Sequence, residues 1–160
     1  MKRIFGGAAI ALGILVGGAT AALACPNHNL SGDTYRGTGD DLYAPKEFSV
    51  VAGGDREITK CGIRLGSDRG RGYVTEAPDF TFNLSRMDRY RLAISVRSEC
   101  DAVLLISTGN SNWFYDDDDN GNLDPLITLS RPSNGWLDVW IGTHDGSHCN
   151  ATLYLETFDR

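Results

Sequence analysis

The sequence predicts an all-β protein, folded as an antiparallel β-sandwich or barrel. Three observations lead to that class. Short stretches alternate apolar and polar residues at period 2. Turn residues separate them, in a chain that carries 19 glycines. Beyond the N-terminal segment, no stretch of helical length bears an apolar stripe of period 3.6. About eight short strands at close spacing fit a sandwich or a barrel.

The chain opens with Met1-Lys2-Arg3, an apolar run from Ile4 to about Val16, and the small-residue exit Ala22-Leu23-Ala24. This basic, apolar and small-residue order is that of a signal peptide over residues 1–24, cleaved before Cys25. The apolar part is interrupted by glycine and is shorter than the ~20 residues a membrane span needs. Cleavage removes Lys2 and Arg3 and no acid, which takes the formal charge from −6 to −8. Such an acidic domain is repelled by phosphate backbones, so nucleic acid is not an expected partner. The expected location is periplasmic or extracellular.

Cys25, Cys61, Cys100 and Cys149 all follow the signal. An even number of cysteines in an exported domain reads as two disulfides, and no pair has the C-x-x-C spacing of a metal site. Of the three connectivities, Cys25–Cys61 with Cys100–Cys149 is favoured. The first bond would pin a loose N-terminal segment, and the second would join two strand ends. A lipidated Cys25 would instead leave Cys61 free.

Residues 25–47 are polar, rich in Asn, Gly, Asp and Thr, and read as an N-terminal arm. The sandwich domain is expected over 48–160. Its strands begin with Phe48 to Val51. Phe80 to Leu84 and Tyr90 to Val96 alternate strictly, whereas Val103 to Ile106 is continuously apolar. Leu126 to Leu129, Trp136 to Ile141 and Ala151 to Leu155 complete the set.

The sharpest chemical feature lies between two of these strands. Asp116, Asp117, Asp118, Asp119 and Asp124 place five carboxylates within nine residues. Like charges this close repel, and a cation would relieve the repulsion. Asp116, Asp118 and Asn120 stand at i, i+2 and i+4, Gly121 follows, and Asp124 occupies the ninth position. That is the opening of an EF-hand-like Ca²⁺ loop, although Ile127 stands where a bidentate Glu would close it. The expected ligands of a weak calcium site are therefore Asp116, Asp118, Asn120 and Asp124. A solvated acidic turn is the competing reading.

Catalytic signatures are missing from the sequence. His144 and His148 sit in a Gly-containing turn, where i, i+4 spacing does not align them for zinc. No G-x-S-x-G elbow accompanies them, and neighbouring acids on one loop are a poor way to split two pKa values. Three consecutive aromatics, Trp113-Phe114-Tyr115, cannot all face one side of a strand. Trp113 and Tyr115 are the candidate ligand-facing rings.

Several of these segments together resemble the bacterial pre-peptidase C-terminal domain. The resemblance rests on Asp101 to Ile106, Gly109, Trp113 to Asp118, Gly121, Asp124-Pro125 and Asn134 to Thr143. Upstream, Val51 to Asp55, Gly72-Tyr73 and Ala77 to Phe80 are similar to small exported proteobacterial proteins built on that domain. The match covers roughly Phe48 to Leu155. It implies a jelly-roll-like β-sandwich without catalytic residues, used as an accessory module that binds calcium or substrate in some secreted proteases. The function so implied is a non-catalytic module engaging extracellular or envelope protein or glycan. A peptidase-type hydrolase and a structural envelope protein are the alternatives.

Overall fold

The computed structural model describes residues 25–66 and 69–160, so the expected signal peptide lies outside the described residues. Eleven strands follow one another: β1 (Asp33–Thr38), β2 (Lys46–Ala52), β3 (Arg56–Glu57), β4 (Tyr73–Val74), β5 (Phe80–Ser85), β6 (Tyr90–Ser98), β7 (Ala102–Thr108), β8 (Trp113–Asp116), β9 (Leu126–Leu129), β10 (Gly135–Thr143) and β11 (Cys149–Asp159). A 3₁₀ turn, Ile58–Lys60, follows β3. Every apolar stretch picked out by period 2 lies in a strand. Among the described residues no helix is long and apolar enough to cross a membrane.

The strands form two sheets. In the first, β10 is the central strand. It pairs with β5 on one edge and with β7 along the other, and β8 lies outside β7. Beyond the end of β5, β4 takes over the pairing with β10 and carries β3. The second sheet runs β2-β11-β6-β9, antiparallel throughout.

The alternation of side chains explains why the sheets stack. Leu137, Val139 and Ile141 of β10 face inward, together with Phe80, Phe82, Leu104 and Ile106 of neighbouring strands. From the second sheet come Leu92, Ile94, Val96, Leu153 and Leu155. Each such side chain contributes about 1.5–3 kcal/mol when fully buried.

A second apolar cluster lies on the other face of the first sheet. Trp140, Leu105, Val103 and Tyr115 pack there with Ile58 and Val74, under the segment that carries Ile63 and Leu65. Strand β7 is therefore buried on both faces. This is why Val103 to Ile106 is continuously apolar where β6 and β11 of the second sheet alternate.

Two departures from the sequence reading concern residues 25–47. Part of this arm is strand β1, and it pairs with β5 in parallel, unlike the antiparallel pairs that make up the rest of the two sheets. Most of β1 is exposed, and its sequence shows no apolar alternation. Its order comes from backbone pairing, which leaves no trace in side-chain pattern. Gly32 makes the approach feasible: a Cβ there would lie 2.3 Å from the Pro78 carbonyl oxygen.

Both disulfides have the expected connectivity, Cys25–Cys61 and Cys100–Cys149, and no free cysteine remains among the described residues. They close loops of 36 and 49 residues. In the chain-entropy model each is worth on the order of 4 kcal/mol. Two structural disulfides are typical of chains that fold in an oxidising compartment.

Candidate functional site

The outer face of the first sheet carries a row of polar side chains where apolar ones would be expected. Register sets this row. Thr81 of β5 lies opposite Asp138 of β10, and Asp138 lies opposite Ser107 of β7. Directly paired residues share a face, so the three project to the same side. All three are buried.

The N-terminal segment lies over this row. The Cys25–Cys61 disulfide holds one end of it. Asn27 donates its backbone N–H to the Glu76 carbonyl at 2.8 Å, and Gly32 donates to Thr81 Oγ1 at 3.1 Å. The Thr81 hydroxyl passes the chain on, donating to Asp138 Oδ1 at 2.8 Å. His28 packs edge-on against Trp113, which in turn lies against Trp140.

Between this segment and the β7–β8 turn is an open cleft of about 230 Å³. Asp138 and Thr81 line its inner part. His28 and Ser31 stand on one side and Thr108 and Ser111 on the other. Trp136 closes the rim with half of its surface, 50%, exposed. Burial pushes the Asp138 carboxyl above its ordinary range, while the Thr81 hydrogen bond and the nearby His28 act in the opposite direction.

This arrangement offers hydrogen bonding without an evident nucleophile. Asp138 is partnered by a threonine hydroxyl and not by a histidine. Among the described residues no histidine side chain is hydrogen-bonded to a serine or threonine hydroxyl. His144 of the β10–β11 turn lies 4.0 Å from Asp101 of the β6–β7 connection, both half-exposed. The geometry of an activated hydroxyl is therefore not assembled here.

The acidic loop is built differently from the sequence expectation. Asp116 Oδ2 accepts two backbone N–H groups, from Leu126 at 2.8 Å and Asp119 at 3.1 Å. Asp124 Oδ1 accepts the backbone N–H and the hydroxyl of Ser98 at 2.9 and 2.8 Å. Asn120 turns its amide nitrogen to the Val96 carbonyl at 3.1 Å, while Asp118 is exposed. Asp116 and Asp124 are thus strand-end staples that tie the loop to β6 and β9. Three of the four residues expected to surround Ca²⁺ are thus already hydrogen-bonded within the protein, and Asp118 is exposed. Among the described residues no three His, Cys, Asp or Glu side chains are grouped to hold a metal ion.

The two candidate rings have different surroundings. Tyr115 is 7% exposed and donates its hydroxyl to the Arg71 carbonyl, so it belongs to the second core. Trp113 is half-buried between His28 and Trp140. Of the three consecutive aromatics Phe114 is the exposed one, at 39%, and Trp136, Tyr35, Tyr43 and Phe158 are exposed elsewhere among the described residues. Strand alternation leaves Phe114 on the side opposite to Trp113 and Tyr115. Trp136 is outward because it sits at the start of β10, before the second core begins. Nothing in the local sequence marked His28, Thr81 and Asp138 as neighbours. The one available signal was Asp138, a carboxylate in the middle of an otherwise apolar strand.

No family model and no curated protein matches the chain. Among solved structures the chain is similar to PliG of Aeromonas hydrophila, a periplasmic lysozyme inhibitor of g-type lysozyme. The identity is 6% and the TM-score 0.43, over 80% of this chain and 100% of that one.

Proposed function

We propose that this chain is an exported, non-catalytic binding module that engages extracellular or envelope material through the cleft under its N-terminal segment. The observation that carries the reading is the cleft floor. A buried carboxylate, Asp138, is oriented by Thr81 and faces an opening rimmed by an exposed indole. A fold gains little stability by keeping a carboxylate buried with one neutral partner, since desolvation costs several kcal/mol and one hydrogen bond returns about 1–3. Asp138 lines an open cleft, which is where such a group meets a ligand.

The two disulfides support export, and the absence of an activated hydroxyl supports binding over hydrolysis. The resemblance to pre-peptidase C-terminal domains points the same way, because those domains are accessory modules. A purely structural envelope protein would not need the cleft at all.

The test uses the exported protein with its disulfides intact. It should not turn over casein or generic esters, and it should bind at least one class of envelope or extracellular material in glycan and peptide arrays. Turnover blocked by a serine-directed inhibitor would sink the reading in favour of a hydrolase.

A further inference from the structure

We propose that the cleft is a saccharide subsite that takes one pyranose ring of a longer glycan, stacked on Trp136 and hydrogen-bonded by Asp138 and the surrounding hydroxyls. This rests on the binding-module reading above and names the ligand class of its site.

Size sets the first constraint. At about 230 Å³ the cleft is smaller than those that take drug-sized ligands, which run to roughly 300–1,000 Å³. One ring fits, with the rest of the chain leaving through the open side.

The polar groups set the second. Asp138 Oδ1 is committed to Thr81, and no described residue donates to Oδ2. The hydroxyls of Ser31, Thr108 and Ser111 line the cleft and make no hydrogen bond within the described protein. The Ser107 hydroxyl, across the β7–β10 pair from Asp138, is buried and also lacks a partner. A sugar hydroxyl donates and accepts at once, so it can give its proton to Oδ2 and accept from a serine or threonine. An anion would meet the Asp138 carboxylate. A cation would find a single carboxylate, already bonded to Thr81 and flanked by the His28 imidazole.

The exposed indole sets the third. Trp136 presents an apolar ring beside these groups, and it is half-exposed although the other two tryptophans are buried or half-buried. A pyranose has an apolar C–H face and a polar rim, which matches a ring beside a set of hydrogen-bonding groups.

The test is a glycan array carrying hexose and N-acetylhexosamine oligosaccharides, probed with the exported protein. Calorimetry follows with the best soluble oligosaccharide. Binding is expected, with affinity falling at least about tenfold in Trp136→Ala and in Asp138→Asn, as for anchor contacts of other binding sites. Trp136→Ala should melt close to the wild type, since half of the indole is exposed and it lies outside both cores. Failure to bind any oligosaccharide up to about 10 mM, a free energy near −2.7 kcal/mol, would overturn the proposal. So would binding unchanged in both variants. Binding of a Lys/Arg-rich peptide lost in Trp136→Ala, with no oligosaccharide bound, would replace the saccharide with a cationic side chain and leave the binding-module reading intact. Hydrolysis of the oligosaccharide would sink both.

Discussion

Asp79 should make the stability of this protein fall as pH rises towards neutrality, and Asp79→Asn should remove that dependence. The residue sits at the foot of β5 between β1 and β10. Its Oδ2 accepts the Ile141 N–H at 2.7 Å, which stands in for the ladder bond that β5 no longer supplies. Burial pushes its carboxyl from 3.8 up to about 7, with the nearby Asp33 charge adding to the effect and the Ile141 hydrogen bond opposing it. Because the folded value is raised, the folded chain holds the proton more tightly than the unfolded chain does. The stabilisation is fully present below pH 3.8 and is lost as pH rises through about 7. At ~1.4 kcal/mol for each tenfold change in proton affinity, the contribution is about 4 kcal/mol at most. Asparagine keeps an oxygen for the Ile141 N–H and does not titrate. Urea unfolding should therefore give nearly equal stabilities for wild type and Asp79→Asn near pH 3.5. At pH 8 the variant should be more stable by up to about 4 kcal/mol. Other carboxylates titrate in both proteins, so the difference between the two isolates this one. A difference that does not change with pH would refute the reasoning.

Further outcomes follow from the packing and the loops. Replacing Cys100 and Cys149 together by serine should cost on the order of 4 kcal/mol in denaturant unfolding, because the bond ties the start of β11 to the β6–β7 connection. Trp140→Ala should cost about 3–5 kcal/mol, since the indole is fully buried in the second core. Tyr115→Phe should cost about 0.5–1.5 kcal/mol through the lost bond to the Arg71 carbonyl, with the β circular-dichroism signal unchanged. Melting curves in EDTA and in several millimolar calcium should coincide, because Asp116 and Asp124 already satisfy backbone donors. A calcium-dependent rise of several degrees would restore the calcium reading of the loop.

Sequence and structure agree where side-chain burial decides the outcome and part where backbone pairing does. Tyr90 to Val96 and Ala151 to Leu155 alternate because one face of their sheet meets the core, so their strands were legible. The continuous run in β7 was legible as a strand, but its meaning, a second core outside the first sheet, needed the structure. Strands β1, β3 and β4 have few apolar contacts or only two residues each, and nothing local announces them. The acidic loop shows the limit of spacing arguments. Its i, i+2, i+4 pattern is real, yet Val96 and Ser98 of β6 bond Asn120 and Asp124, and Leu126 at the start of β9 bonds Asp116. The cleft was hidden for the same reason, since His28, Thr81 and Asp138 meet only through the parallel β1–β5 pair and the β5–β10 register.

The central claim is that the face under the N-terminal segment receives a ligand. Its most direct test is chemical-shift mapping of the ¹⁵N-labelled exported protein, titrated with soluble glycan and peptide fractions of the cell envelope. Shifts should concentrate on Thr81, Thr108, Gly109, the Trp136 indole and Asp138, with the added material recovered unchanged. Shifts confined to the acidic loop or to the second sheet, or cleavage of the added material, would contradict it.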